Sequence, residues 1–471
     1  MHLQYNINMT SKEKIGLPVF STKKAEAETW LIQHAFVSPP DFEFLKGDHS
    51  IVLFGEPGAG KTASCLALEQ YGLANSSRLI VHWCPQMSEN VTEMSTALAM
   101  TQLQDILSSC AKTFIEKFLA EPSLLLKTSP SAQEYLIWFL RYFTGANGFL
   151  DILPSTISKK EKDQFQALTD RFSQDLFVEK PDIMVVATEF TKAMKSTGFS
   201  MVWIMVDGIE WLTENQRINA VSSLRSVLST LKLFEIPYLC YKMALPIEFE
   251  SDLVDAIAIT RDRAMVFRIS WDTRYLSSIL ERRLSLAVGE SVSFDNIYNA
   301  EEIRSWLLTC GGMTPRGWLE YFRPIFSAYW DVVSNGKPRK LTKTEWINAR
   351  KRSSLHLKFN SETNQVRVGM GAARILSPEV GAIFSYLYKN QGRYCTKKEL
   401  YYKAYVPFVV PEDKVKEVGE QFALAKEYDD LINTVIYRLR QAVEPNPKDK
   451  EPVFVTTKRD VGIRLSTQAF Q

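Results

Sequence analysis

Residues Ile51–Thr62, IVLFGEPGAGKT, are the strongest indication of the fold, because they join a short apolar strand to a glycine-rich loop that fits GxxxxGK[ST] in full. Glycines in such a loop let backbone N–H groups close around phosphate oxygens, and the helix that begins at Lys61 adds a favourable dipole. We therefore expect ATP, or a similar nucleoside triphosphate, to bind here with Mg²⁺. The predicted binding residues are Gly55, Glu56, Pro57, Gly58, Ala59, Gly60, Lys61, Thr62 and Ala63.

Individual residues of this site can be given expected roles. Lys61 is expected to reach the β- and γ-phosphates, and the Thr62 hydroxyl to bind Mg²⁺. An acidic residue at the end of a neighbouring strand should help to hold the metal. Asp207 directly follows the apolar run Met201–Val206 and is placed for that role. Glu210, three residues later, is the candidate for orienting and polarising the attacking water.

Strands and helices alternate along the first 270 residues, which predicts the α/β class with a doubly wound parallel sheet. The predicted strands are Ile51–Phe54, Leu79–Trp83, Met201–Val206, Tyr238–Met243 and Met265–Ile269. Two helices are predicted to start at Lys61 and at Thr213, the second with Gln216 completing a capping box. The other predicted helices are Ala25–Val37, Met94–Leu119, Ala132–Phe143, Lys162–Leu176, Thr273–Val288, Glu301–Thr309 and Pro315–Val333.

The pattern changes beyond the polar stretch Ser334–Lys340, the best linker candidate. A β-hairpin at Leu355–Val368 precedes helices at Pro378–Lys389, Lys397–Ala404 and Asp429–Val443, and strands follow at Val453–Thr457 and Gly462–Leu465. This predicts a C-terminal α+β domain. The expected organisation is an extended N-terminal segment (1–25), a P-loop NTPase domain with a helical insertion (26–270), a helical lid (271–335), a linker (336–352) and the C-terminal domain (353–471).

The first two-thirds of the chain resembles the STAND and AAA+ branches of P-loop ATPases. Val206–Glu210, VDGIE, is similar to the NACHT-type pattern of strand, Asp, Gly, any residue, acid. AAA+ proteins place an acid directly after the Asp, where this chain has Gly208, and the departure favours a slow nucleotide switch. The resemblance also implies a sensor role for Lys242 and a γ-phosphate-reading role for Arg316 in Gly312–Arg316. Candidate arginine fingers for a neighbouring subunit are Arg261 and Arg263.

The last 115 or so residues resemble the winged-helix DNA-binding domain of OmpR-type response regulators. Asn390–Leu400 is similar to the family's N-x-G-x-x-x-[ST]-[KR]-x-x-L, Val435–Pro445 to its recognition helix, and Val453–Leu465 to its wing. The resemblance implies DNA contacts from Asn433, Tyr437, Arg438, Arg440, Lys458, Arg459 and Arg464. Winged helices also bind proteins or cap a fold, so DNA contact, protein contact and a structural cap stay open.

Three features of this domain depart from the OmpR pattern. Asp460 replaces a glycine of the wing, and Val435 stands where the family has a polar residue. The insertion Val406–Glu427 lengthens the turn before the recognition helix. Each departure weakens the expectation of sequence-specific DNA binding.

Composition narrows the setting of the protein. The net charge is only +2, but the segment from Pro338 to the end has 24 Lys/Arg against 15 Asp/Glu. A basic domain of this kind meets nucleic acid or presents a solvated face. The six cysteines and five histidines show no metal-ligand spacing. We expect a cytoplasmic protein with no membrane segment, because no apolar run approaches about 18 residues and the start is unlike a signal peptide.

These observations favour an ATP-dependent switch that couples ATP binding or hydrolysis to DNA or partner binding through the winged helix. Prokaryotic regulation and anti-phage defence are its natural settings by resemblance. One alternative is a DNA-handling ATPase, such as an initiator or a transposition-type loader. Another is a nucleotide-dependent scaffold that recruits an effector without touching DNA. Expected partners are double-stranded DNA, a protein effector and, in the ATP state, further copies of this chain.

Overall fold

The computed structural model describes residues 17–20, 29–74, 77–85, 96–121, 123–126, 128–144, 159–160, 163, 167, 181–335, 338–409, 427–447 and 452–469. The chain divides into two compact units. The first is Ala25–Ser270, and the second combines Met1–Lys24 with Trp271–Gln471. The predicted five-segment domain organisation is a finer division than this and stays a prediction.

The first unit is built on a five-stranded parallel sheet, which confirms the predicted α/β class. Its strands are β1 (Ser50–Gly55), β2 (Arg78–His82), β3 (Met201–Val206), β4 (Leu239–Pro246) and β5 (Ala264–Arg268). They lie in the order β2-β3-β4-β1-β5. Strand β1 is therefore an interior strand between β4 and β5, it is fully buried, and β4 separates it from β3.

Helices cover both faces of this sheet, as successive side chains of β1 show. Val52 and Phe54 enter one apolar core, and Ile51 and Leu53 enter the other. The helices of the unit are Thr29–Ala35, Phe42–Leu45, Lys61–Ala74, Thr96–Ala120, Ser123–Leu126, Pro130–Thr144, Ile183–Ser196, Glu214–Leu228, Leu231–Phe234 and Phe249–Ile259. The Thr213–Gln216 capping box is confirmed. Most of the predicted helix Lys162–Leu176 lies outside the described residues.

The second unit begins with helices Thr273–Val288, Phe294–Ile297, Ala300–Gly311, Pro315–Ser334 and Lys343–Lys351. The last of these is a capped helix inside the predicted linker, and its Trp346 is buried. Leu17–Phe20 forms a 3₁₀ turn within the predicted extended lead-in. Phe20 is buried, with its ring centroid 4.4 Å from that of Phe326.

The rest of the second unit has the predicted winged-helix architecture. A four-stranded antiparallel sheet has the order β11-β6-β7-β8, and β9 pairs with β10 as a wing. The strands are β6 (Leu355–Asn360), β7 (Gln365–Val368), β8 (Arg374–Ile375), β9 (Val455–Lys458), β10 (Gly462–Leu465) and β11 (Gln468–Ala469). The helices are Pro378–Lys389, Lys397–Leu400, a π-helical turn Tyr401–Tyr405, Val406–Val409 and Glu427–Val443.

A close backbone contact, the glycine seam, fixes the winged helix to the preceding helices. The seam consists of Gly312 on the helical side and Gly369 and Gly371 on the winged-helix side. The Met370 N–H donates to the Cys310 carbonyl over 2.7 Å. A Cβ on Gly371 would collide with the Thr309 carbonyl oxygen, so only glycine permits this approach.

None of the described helices is long and apolar enough to cross a membrane.

Candidate functional site

The loop after β1 adopts a conformation that requires its glycines. Gly58 and Gly60 have φ values of 84° and 94°, in the left-handed region that favours glycine. The Ala59 N–H donates to the Glu56 carbonyl over 3.0 Å, which closes the turn. The helix Lys61–Ala74 starts directly after it. A helix N-terminus behind a glycine-rich turn can bind phosphate through backbone N–H groups.

Lys61 is almost fully buried at the base of this loop. Its Nζ donates to the carbonyl of Gly55 over 3.0 Å and to that of Glu56 over 3.3 Å. It also lies 3.3 Å from Oε1 of Glu210. The ammonium is therefore held inside the loop, among a carboxylate and two carbonyls.

Asp207 lies beside Thr62, as its place at the end of β3 predicts. Burial raises the pKa of Asp207, while hydrogen bonds from the Thr62 hydroxyl and the Gly208 backbone act in the opposite direction. Its Oδ1 atom is buried and accepts no hydrogen bond. A buried carboxylate oxygen with a free lone pair, next to a hydroxyl, is a donor set that suits Mg²⁺.

Glu210 is brought back to the loop by a tight turn. Gly208 has φ 78° and precedes the 3₁₀ turn Ile209–Trp211, closed by a 3.2 Å hydrogen bond from the Trp211 N–H to the Gly208 carbonyl. Oε1 of Glu210 contacts Lys61, and Oε2 is buried without a hydrogen-bond partner. The structure thus brings Lys61, Thr62, Asp207 and Glu210 together.

Lys242 does not belong to this site, which corrects the expected sensor role. It pairs in register with Ile51, near the start of β1, whereas Pro246 pairs with Gly55 at the loop. Its Nζ donates to three carbonyls that precede β1, those of Leu45, Gly47 and His49. Ligands of a parallel α/β sheet bind beyond the carboxyl ends of its strands. Lys242 lies toward the opposite edge.

His82 and Glu69 form a pair that the sequence patterns did not single out. His82 ends β2, in register with Met205 of β3, and its Nε2 lies 3.6 Å from Oε2 of Glu69. The Glu69 carboxylate raises the pKa of His82, and the charge of Asp207 acts in the same direction. The sequence could have indicated this residue, because His82 directly follows the apolar run of a predicted strand, at the edge of the sheet where ligands bind.

Arg316 is the second residue of the helix Pro315–Ser334, which Thr314 caps. It belongs to the second unit, so its γ-phosphate-reading role stays a prediction. The finger roles of Arg261 and Arg263 also stay predictions, and Arg263 forms a 3.2 Å ion pair with Glu235.

The helix Glu427–Val443 presents several of the predicted DNA contacts to solvent. Asn433, Tyr437 and Arg438 are exposed on one face, and Tyr437 is 64% exposed. Val435 is buried on the other face, so this departure from the OmpR pattern removes no polar group from the exposed face. Lys458 and Arg459 are exposed on the wing, where Asp460 adopts φ 59° in place of glycine.

Two predicted DNA contacts have other partners. The Arg440 guanidinium donates to the Val455 carbonyl over 2.9 Å and to the Thr457 hydroxyl over 2.9 Å, which ties the helix to the wing. Arg440 therefore supports the wing, and its contact with DNA stays a prediction. Arg464 is half-buried with its guanidinium 5.0 Å from the ring centroid of Tyr394.

No protein-family model matches this chain, and no curated protein matches it. Solved structures do align with it at low identity. The ORC2 protein of Aeropyrum pernix, solved as ADPNP–ADP complexes, covers 93% of each chain at 10% identity with a TM-score of 0.33. Cdc6p from Pyrobaculum aerophilum aligns with 97% of this chain and 94% of its own at 13% identity, with a TM-score of 0.34. The P-loop NTPase fold described above rests on the strand order and loop geometry of the chain itself.

Proposed function

We propose that this chain binds ATP with Mg²⁺ in the Gly55–Ala63 loop, hydrolyses it slowly, and couples this chemistry to duplex DNA. The convergence of Lys61, Thr62, Asp207 and Glu210 around one glycine-rich loop is the observation that supports it. Backbone N–H groups of the loop and the Lys61 ammonium would hold the phosphates.

The remaining residues divide the other tasks. Thr62 and Asp207 would hold Mg²⁺, which supplies charge neutralisation on the phosphates when bound. Glu210 would orient and polarise the attacking water. Arg316 would report the nucleotide state to the helical part of the second unit. Assembly of several copies in the ATP state belongs to the same proposal.

Of the three functions that ATP binding could serve in this chain, we favour that of a DNA-handling ATPase. The recognition face of the winged helix is already exposed, and Arg440 already fixes the wing. A STAND-type switch, in which nucleotide exposes or repositions this domain, is the second candidate. The switch is favoured by the position of the acidic residue Glu210, which lies three residues after Asp207 and not directly after it. The third candidate is a nucleotide-dependent scaffold whose winged helix binds a protein effector.

The test is ATP binding and hydrolysis by the full chain, with and without duplex DNA. Lys61→Ala should weaken ATP binding by more than about tenfold, since each 1.4 kcal/mol of lost phosphate contact is a factor of ten. Lys232→Ala, at an exposed position of the same unit, is the matched control. Unchanged binding in Lys61→Ala would refute the nucleotide site.

The measurements with duplex DNA distinguish the three candidate functions. Turnover raised several-fold by duplex indicates the DNA-handling ATPase, and slow turnover indifferent to bound DNA indicates the switch. Binding should be strongest at low salt, because phosphate contacts release counterions. Failure to bind duplex at any salt concentration would leave the effector scaffold.

A further inference from the structure

Lys61 is already occupied by acceptors that belong to the chain. Its Nζ lies 3.0 Å from the Gly55 carbonyl, 3.3 Å from the Glu56 carbonyl and 3.3 Å from Oε1 of Glu210. Two of the three N–H donors of the ammonium bind these carbonyls, and Glu210 is its charged partner. A phosphate group that binds this ammonium must therefore compete with the Glu210 carboxylate.

Glu210 is the charged member of this set, and the backbone holds it in place. The turn after Gly208 is closed by N–H donors of Trp211 and Leu212, and the Ile209 side chain is buried beneath it. The Glu210 side chain is 27% exposed, and the Lys61 side chain 2%. The ion pair is thus partly desolvated, and the carboxylate is an anion at the base of the anion-binding loop.

We propose that Glu210 is an intramolecular competitor of the nucleotide. Its carboxylate holds Lys61 until a phosphate of a nucleoside di- or triphosphate takes the ammonium. This inference rests on the proposed nucleotide binding and adds a second role to Glu210. The displaced carboxylate is then available for the water-orienting role, so the group that polarises water is released when a nucleotide binds.

If Glu210 competes with the nucleotide, its removal should strengthen nucleotide binding. Removal of a residue that only assists binding would weaken it. Removing the Glu210 charge should tighten the binding of ADP and ATP, because Lys61 no longer has to leave a carboxylate. Binding is measured with excess EDTA, so neither hydrolysis nor metal affinity contributes. From the strength of partly exposed ion pairs, we expect Glu210→Gln and Glu210→Ala to tighten ADP binding by about threefold to fivefold.

Glu214→Gln is the matched control. It removes the same charge from an exposed position at the start of the next helix, Glu214–Leu228, and should leave ADP affinity unchanged. Unchanged or weaker ADP binding in both Glu210 variants, with their thermal unfolding like that of the wild type, would overturn the proposal. Equal tightening by Glu214→Gln would also overturn it, because a general field effect would then explain the result.

Failure of the inference can be told from failure of the proposed function. Lys61-dependent ADP binding in the wild type without tightening in the Glu210 variants refutes only the competition. If the wild type shows no Lys61-dependent nucleotide binding, both are refuted. In the double variant Lys61→Ala/Glu210→Gln, the Glu210 change should no longer affect affinity, since its partner is gone.

Discussion

At the scale of single residues, two buried lysines show how position in one sheet decides the role of a side chain. Lys61 lies at the loop after β1, beside Asp207 and Glu210. Lys242 fixes the segment before β1, and its Nζ lies 4.8 Å from the ring centroid of Trp203. The first lysine belongs to a binding site, and the second to the support of the sheet.

Replacement of Lys242 tests this division. Lys242→Met should lower the free energy of unfolding by about 1–3 kcal/mol, because three carbonyls lose a buried donor. Nucleotide affinity should not change. Urea unfolding and ATP binding check the two expectations, with Lys232→Met as an exposed control. A large loss of ATP affinity without loss of stability would restore the sensor role.

The same lysine gives the stability a pH dependence. Burial lowers the pKa of Lys242 from 10.5 to about 8. Between those values the unfolded chain binds more protons than the folded chain, so the contribution of this group to the free energy of unfolding rises with pH. The stability difference between wild type and Lys242→Met should therefore grow as the pH rises through this window. A difference that stays constant or shrinks would contradict it.

At the scale of elements, the recognition helix and the wing form one supported unit. Arg440 donates to β9, and Glu444, one turn later, accepts from the N–H groups of Val453, Phe454 and Val455. Burial raises the pKa of Glu444, while these three donors lower it. One helix end thus holds the wing strand through a donor and an acceptor.

Arg440→Ala should loosen the wing while leaving the exposed face of the helix unchanged. We expect a loss of about 1–3 kcal/mol in the free energy of unfolding, since the Val455 carbonyl loses a charged donor. Amide hydrogen exchange in Val455–Lys458 should quicken. Arg438→Ala is the control, because the Arg438 side chain is 59% exposed and its ion pair with Glu379 does not involve the wing. Equal protection of β9 in both variants would contradict this role of Arg440.

At the scale of the whole molecule, the glycine seam joins the helical part of the second unit to the winged helix. A β-carbon at Gly312 would lie 2.7 Å from the Met370 carbonyl oxygen, and one at Gly369 would meet Tyr321 and Cys310. The turn that carries Arg316 is therefore in backbone contact with the winged helix.

Gly371→Ala should disrupt the glycine seam. The added methyl group collides with the Thr309 backbone, and overpacking of this kind costs about 1–3 kcal/mol. The helices and the winged helix should then unfold in separate steps in thermal denaturation followed by hydrogen exchange. Ala373→Ser adds one atom at an exposed position of the same loop and should leave unfolding unchanged. A single unaltered transition in Gly371→Ala would show that the seam is not needed.

The nucleotide loop and the strands were predictable because their signals are local. The spacing of Gly55–Thr62 and the apolar run Met201–Val206 before Asp207 are properties of consecutive residues. The recognition helix was predictable for the same reason. The domain boundaries and the roles of Arg316 and the wing residues stay predictions, because they depend on relations between distant parts of the chain.

Local sequence patterns were enough to predict the loop, the parallel sheet and the residues Lys61, Thr62, Asp207 and Glu210. Long-range contacts, in contrast, place Lys242 toward the opposite edge of the sheet, Arg440 against the wing, and Glu210 beside Lys61. Strand order and register place each residue at one edge of the sheet or the other, and neither follows from local periodicity. Long-range packing also decides which charged groups are exposed and which are bound by their neighbours.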